Sequence, residues 1–273
     1  MNHWPHIILE TANFHGGDPE VLKETIERFA GIAGINYPNL GIKFHAFKPD
    51  NVALQDFSWY PVVKQFDIDE SQWAEIIGLA HEKHLHIWLD LFCVFGVQTL
   101  EKHFDKIHGL KLQPSILDNR EILEALEHLN QREGLTLENK KLILNISGLQ
   151  LSEIEDALAT FRNIGFIDII LQLGFQNYPT KIEDTSLKKA EVLKSAFPGL
   201  QLAYGDHVDA NMPFARHFPV YAWLKGCSYL EKHICLDREK TEFDSESALE
   251  PEEIKEIADE IRLVKDCFSS PFI

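Results

Sequence analysis

His207 and His233 each stand where a short apolar run, "LQLAYGD" or "YLEKHI", gives way to polar sequence. Two neutral imidazoles at such ends can hold Mn, Fe, Co, Ni or Zn and leave coordination positions open for water and substrate. A single histidine is more often a plain hydrogen-bonding group, and the chain has 13 of them, so the pair gains its meaning from its neighbours. Those neighbours are charged. Lys43 and Lys111 come late in "GIKFHAF" and "GLKLQ". Two ammonium groups taken out of water need an anion, which suggests a carboxylate or phosphate on a substrate. Glu10 ends the apolar part of "HIILETA", and a carboxylate there can handle protons. His45, Asp90, Gln113, Asn145, Ser147, Gln172 and Asp206 occupy the corresponding ends of the other runs. One or two polar ends are ordinary where strands meet loops; polar groups at every end are not. In "YLEKHI" three ionisable residues, Glu231, Lys232 and His233, follow one another. Charges away from water are costly unless paired or metal-bound, so this tip belongs at an opening. Strand alternation puts Lys232 on the face opposite Glu231 and His233.

The elements that must position these groups recur along the chain. Eight strand-like runs are "HIILETA" (6–12), "GIKFHAF" (41–47), "LHIWLDLF" (85–92), "GLKLQ" (109–113), "KLILNIS" (141–147), "DIILQLG" (168–174), "LQLAYGD" (200–206) and "YLEKHI" (229–234). Most are too short for independent helices and rich in β-branched or aromatic residues. Helical patterns lie between them. "DPEVLKETIERFAGIAG" starts with Asp18 as N-cap and Pro19 at the first helical position, the preferred order. "DESQWAEIIGLAHEKH" follows with Asp69 at its head, and "DNREILEALEHLNQ", "QLSEIEDALATFRNIG", "SLKKAEVLKSAF" and "EPEEIKEIADEIRLVKDCF" repeat the pattern. Such alternation predicts a parallel sheet. Eight units in 273 residues predict an α/β protein built as a single (β/α)8 TIM barrel, whose site lies at the C-terminal strand ends. An open doubly wound sheet is the alternative.

Bulk properties narrow the partners. The net charge is −17, which argues against duplex nucleic acid and against anionic membranes. An anionic small molecule remains compatible, because a local basic pocket can sit in an acidic protein. No apolar run approaches the ~18 residues of a membrane span, and "MNHWPHIILE" lacks the pattern of a secretory leader. Cys93, Cys227, Cys235 and Cys267 fit no disulfide or zinc spacing, so a reducing cytoplasm is the expected location.

At these residues the chain resembles the sialic acid synthase family, the phosphoenolpyruvate-dependent enzymes that make N-acetylneuraminate and related nonulosonates. "IILETANFHGGDPEVLKETI" stands for the family's opening E-x-G-x-N-H-x-G segment and "IKFHAFKPD" for its K-F-Q segment. "YPTKIEDTSL" matches Y-P-T-P-x-E-D-x-x-L, "AFPGLQLAYGDHV" stands for A-F-P…G-x-S-D-H-T, and "LEKHICLDR" with "DSESALEPEEI" matches E-K-H-F-T-L-D-R and D-H-x-x-S-L-x-P. The resemblance implies a barrel enzyme with a divalent metal, typically manganese, held by His207 and His233. In the family the metal activates the open-chain aldehyde of an N-acetylated amino sugar, C3 of phosphoenolpyruvate attacks that aldehyde, and water attacks C2. By the same resemblance Glu10 aligns with an acid near the sugar, Lys43 and Lys111 with lysines that bind phosphoenolpyruvate, and Tyr178 and Asp244 with pocket-lining residues. A homodimer is a further expectation. The chain stops at Ile273, so the expectation for 1–273 is the barrel domain without the family's C-terminal antifreeze-like domain.

The departures concern the phosphate. The family's S-T-P-F reads Leu89-Asp90-Leu91-Phe92, its G-S-G-E reads Gln113-Pro114-Ser115-Ile116, and its S-T-G-M reads Ile146-Ser147-Gly148-Leu149. Gly205 replaces the serine before Asp206-His207, and His45 stands where a glutamine is expected. We therefore assign Glu10, Lys43, His45 and Asp206 to catalysis. Lys111, Ser147, Tyr178, Asp244 and Asp90 are assigned to substrate, and His207 and His233 to the metal. Alternatives are a metal-dependent aldolase or lyase using a non-phosphorylated keto acid, and a non-catalytic sugar-binding relative.

Overall fold

A computed structural model describes residues 3–269. Eight parallel strands close into a barrel in chain order: β1 (His6–Glu10), β2 (Leu40–Phe44), β3 (His86–Asp90), β4 (Ile107–Leu112), β5 (Lys141–Asn145), β6 (Asp168–Leu173), β7 (Gln201–Asp206) and β8 (Tyr229–His233). β1 pairs with β8 through Glu10 opposite His233, and with β2 through Glu10 opposite Lys43. The (β/α)8 expectation therefore holds and the open sheet does not. All eight expected runs are strands.

The helices start where the sequence provides caps. Asp18 accepts from the Glu20 backbone N–H at the head of helix Pro19–Asn36. Asp69 and Gln72 form a reciprocal capping box at Glu70–Glu82, satisfying donors that a helix start leaves free. The longer helices lay an apolar stripe on the outer face of the barrel. Leu22, Ile26 and Phe29 of the first helix join Leu9, Ile42 and Phe44 in the main core. Among the described residues, no helix is long and apolar enough to cross a membrane.

A smaller core fills the inside of the barrel at mid-height: Ile8, Trp88, Ile143, Ile170, Ala203 and Tyr229. Trp88 is the large member, and two glycines make room for it. A Cβ on Gly109 would lie 2.4 Å from the Trp88 ring, and one on Gly41 would lie 2.9 Å from its Nε1. Strand alternation then dictates what lies above this plug. Two residues further along come Glu10, Lys43, Asp90, Lys111, Asn145, Gln172, Gly205 and Glu231. The floor of the barrel mouth is thus polar on every strand but one.

Candidate active site

Ion pairing organises this floor. The Lys43 Nζ lies 2.7 Å from Glu231 Oε2 and 3.2 Å from Asp90 Oδ2, and also pairs with Glu10. The Lys111 Nζ lies 2.6 Å from Glu231 Oε1. Glu231 thus gives one oxygen to each lysine. Parity puts Glu231 on the face of Lys43 and Lys111, so its carboxylate gives both an internal counter-charge. Asp90 also accepts from the Gln113 amide at 2.7 Å, and Gln113 accepts from Asn145 at 2.8 Å. Glu10 Oε1 accepts from the Ala12 N–H at 2.7 Å and lies 3.1 Å from His45 Nε2, while its other oxygen faces Lys43.

Burial and pairing compete in these groups. Burial pushes the Glu231 carboxyl up, but Lys111 and Lys43 outweigh it and hold it at about 2. Burial also raises Glu10, and Lys43 with His45 overcomes that, keeping it well below the carboxylate range. At His45, burial disfavours the imidazolium, but Glu10 and Asp90 prevail and its pKa rises. Lys111 goes the other way, since burial lowers its pKa more than Glu231 restores it.

The two histidines face each other beside this floor, with ring centroids 5.1 Å apart. Segments that looked like family motifs pin their backbones. The His207 carbonyl accepts from the Thr180 N–H at 2.7 Å and from the Ser247 hydroxyl at 2.7 Å, and the His233 carbonyl accepts from the Leu249 N–H at 2.8 Å. His207 Nδ1 lies 2.9 Å from the Phe175 carbonyl. A carbonyl only accepts, so Nδ1 carries the proton and Nε2 is bare. The Tyr178 hydroxyl sits 3.0 Å from His207 Nε2 and 3.1 Å from His233 Nε2. Its single proton goes to the bare His207 Nε2, so His233 Nε2 must donate to it. That leaves His233 Nδ1 bare, and it is buried without a partner. Burial, then His207, pulls the His233 pKa well down. Burial also lowers the His207 pKa, which favours the neutral form of both rings.

This donor set fits a divalent cation. His207 is fixed with Nε2 bare by a carbonyl, the usual support for a metal-bound histidine; His233 would present Nε2 beside it once its proton moves to Nδ1, which is buried without a partner. A second group has ligand atoms all within 4.8 Å of one another: Glu10, His45 and Asp90. There the Lys43 ammonium already stands against both carboxylates, so that group already holds a cation.

All of this opens into one cavity of about 690 Å³. Glu10, His45, Lys111, Ser147, Tyr178, His207, Glu231 and His233 line it. Lys43 and Asp90 do not; both are fully buried beneath the lining. Asp206, assigned to catalysis, does not reach the cavity either. Ala203 and Gly205 point inward, so Asp206 points out, where it accepts from Lys232 at 2.8 Å. Asp244 lies outside the lining and accepts from the Asn13 N–H at 3.1 Å. Sequence reasoning left Glu231, Ser115 and Lys189 without roles, although all three line the cavity. For Glu231 the signal was its shared parity with His233; for Ser115 it was its place just past the β4 end. Lys189 gave none.

A family model described as the NeuB family matches residues 42–271. Human N-acetylneuraminate-9-phosphate synthase is 31% identical over 286 residues, covering 97% of this chain and 71% of that protein. The N,N'-diacetyllegionaminic acid synthase of Campylobacter jejuni is 27% identical, covering 95% of this chain and 76% of that one. The solved N-acetylneuraminic acid synthetase of Leptospira borgpetersenii superposes with a TM-score of 0.82 at 23% identity, over 100% of this chain and 87% of that one. At that identity the structural likeness is one of fold. The family match spans most of the sequence, and the motifs behind the resemblance are the ones that hold the two histidines in place. This chain belongs to the NeuB family, that of the sialic acid and related nonulosonate synthases.

Proposed function

We propose that this chain joins phosphoenolpyruvate to the open-chain aldehyde of an N-acetylated amino sugar, assisted by a divalent ion, manganese by resemblance. The supporting observation is that Lys111 with Glu231, Glu10 with His45, and the Tyr178-bridged histidines line one cavity at the barrel mouth. His207 and His233 would hold the ion, which supplies Lewis acidity toward a carbonyl oxygen. Lys111 is the cavity's buried cation and would orient the anionic three-carbon unit. As the new C–C bond forms, the aldehyde oxygen must gain a proton, and water adding at C2 must lose one. Glu10 is held ionised and can accept; His45, 3.1 Å away with a raised pKa, can donate. The test is an assay of the metal-loaded protein with phosphoenolpyruvate and a panel of N-acetylated amino sugars. Phosphate release that requires both sugar and metal is expected.

One observation favours a second reading. Three carboxylates, Glu10, Asp90 and Glu231, surround the two lysines, a negative setting for a phosphate. A non-phosphorylated keto acid would suit it better. Sugar-dependent product from pyruvate, with no phosphate release from phosphoenolpyruvate, would favour that aldolase reading.

A further inference from the structure

A second cavity, of about 440 Å³, lies at the opposite end of the barrel, where the strands begin. That end of this fold ordinarily serves stability. Here its walls include His81, His84, His86, His108, Lys106 and Lys140, with Asp105 the one acid among the lining residues. Burial lowers the pKa of His86 and His108, so these rings enter as neutral donors, and the positive charge of the walls is that of Lys106 and Lys140.

Three features indicate more than a solvated crevice. His84 has φ 61° in the turn that follows helix Glu70–Glu82. Glycine is the unstrained choice there, and strain of this kind tends to be kept where a side chain has a use. His86 Nδ1 is buried with no hydrogen-bond partner. Neither Lys106 nor Lys140 is paired with a carboxylate within ion-pair distance among the described residues; the Lys140 ammonium is instead held by the Phe104 and Ile107 carbonyls at 2.5 and 2.7 Å. A metal is the poorer occupant. Two lysines oppose a cation, and among the described residues the one cluster of three ligand atoms lies at the other end of the barrel.

We propose that this cavity binds a small polyanion, a compact phosphate or carboxylate compound carrying at least two charges. The imidazole and ammonium groups supply donors, and an anion supplies the counter-charge that the walls lack. The site is independent of the reaction proposed above.

Calorimetry on the full chain tests it, with inorganic pyrophosphate in one arm and citrate in the other. The variants are Lys106→Glu, an exposed position, and His84→Gly, which relieves the turn. Both should weaken binding at least about tenfold, since each removes a cationic or donor group from the walls. His84→Gly should also raise Tm, separating loss of binding from loss of fold. Binding of one anion only assigns the ligand to that chemistry. If neither binds at millimolar concentration, or if binding is unchanged in both variants, the proposal is overturned.

Discussion

The Tyr178 hydroxyl bridges the Nε2 atoms of His207 and His233, the pair that would hold a divalent ion. Replacing either histidine by Ala should abolish tight binding of manganese, as read by calorimetry, while circular dichroism stays unchanged, because both side chains face the mouth and not the packed layer between barrel and helices. Unchanged affinity in both variants would make the pair structural. Glu231 should behave differently. Glu231→Leu leaves Lys111 without its near carboxylate and Lys43 with one fewer. Removing one partner of a buried ion pair costs about 3–5 kcal/mol, which a urea titration would show as a large fall in midpoint. A loss under about 1 kcal/mol would mean that Asp90 and Glu10 suffice. At this scale the histidine pair was legible because strand ends mark it. The Glu231 bridge was not, because it depends on side chains of β2, β4 and β8 meeting across the barrel. Asp206 was misplaced because adjacency to His207 in sequence means opposite faces in a strand.

At the scale of elements, the glycines in β2 and β4 carry a constraint that no local propensity explains. Both strands lack a side chain at the level where β3 sends Trp88 inward. Gly109→Ala would put a methyl group 2.4 Å from a ring with no room to move. Overpacking of this kind costs roughly 1–3 kcal/mol, so Tm should drop by several degrees, and pairing Gly109→Ala with Trp88→Leu should restore part of it. No drop in the single variant would mean that the plug is loosely packed. The strands were readable as short runs bounded by turn residues, and six helices were readable from caps and periodicity. Four others were not marked in sequence, among them the short Pro49–Val52 and Tyr60–Gln65. Val94–Lys102 has Cys93 at its N-cap with no capping side-chain bond. Phe218–Leu224 has seven residues, five of them buried, so it shows no polar face.

For the molecule as a whole, the buried titratable groups set a direction for stability against pH. Burial, followed by the other histidines, holds His6 well below 6.5 and His108 at about 4. The unfolded chain therefore binds more protons than the folded one below 6.5, and stability rises with pH in that window. The paired carboxylates add a second stage. Glu10 and Glu231 sit below the ordinary 4.5, Glu231 at about 2, so their contribution is present above 4.5 and lost as pH falls toward 2. His45, raised above 6.5, opposes the first stage, since its contribution fades as pH rises. The expected Tm profile falls from pH 7 to 4 and falls further below that. A Tm that rises between pH 7 and 5 would show His45 outweighing the other histidines.

Trp88 has one more consequence. It closes the barrel at mid-height, so the mouth cavity is a vessel with a blind end. A molecule resting on the Lys111 and Glu231 floor has to arrive before one that fills the space above it, and it has to leave afterwards. For the reaction proposed above, turnover should therefore follow a compulsory order, with the three-carbon unit first and the sugar second. Initial-rate patterns with a dead-end sugar analogue would reveal this: inhibition should be uncompetitive against the three-carbon substrate, and a competitive pattern would mean that the two can pass each other at the mouth.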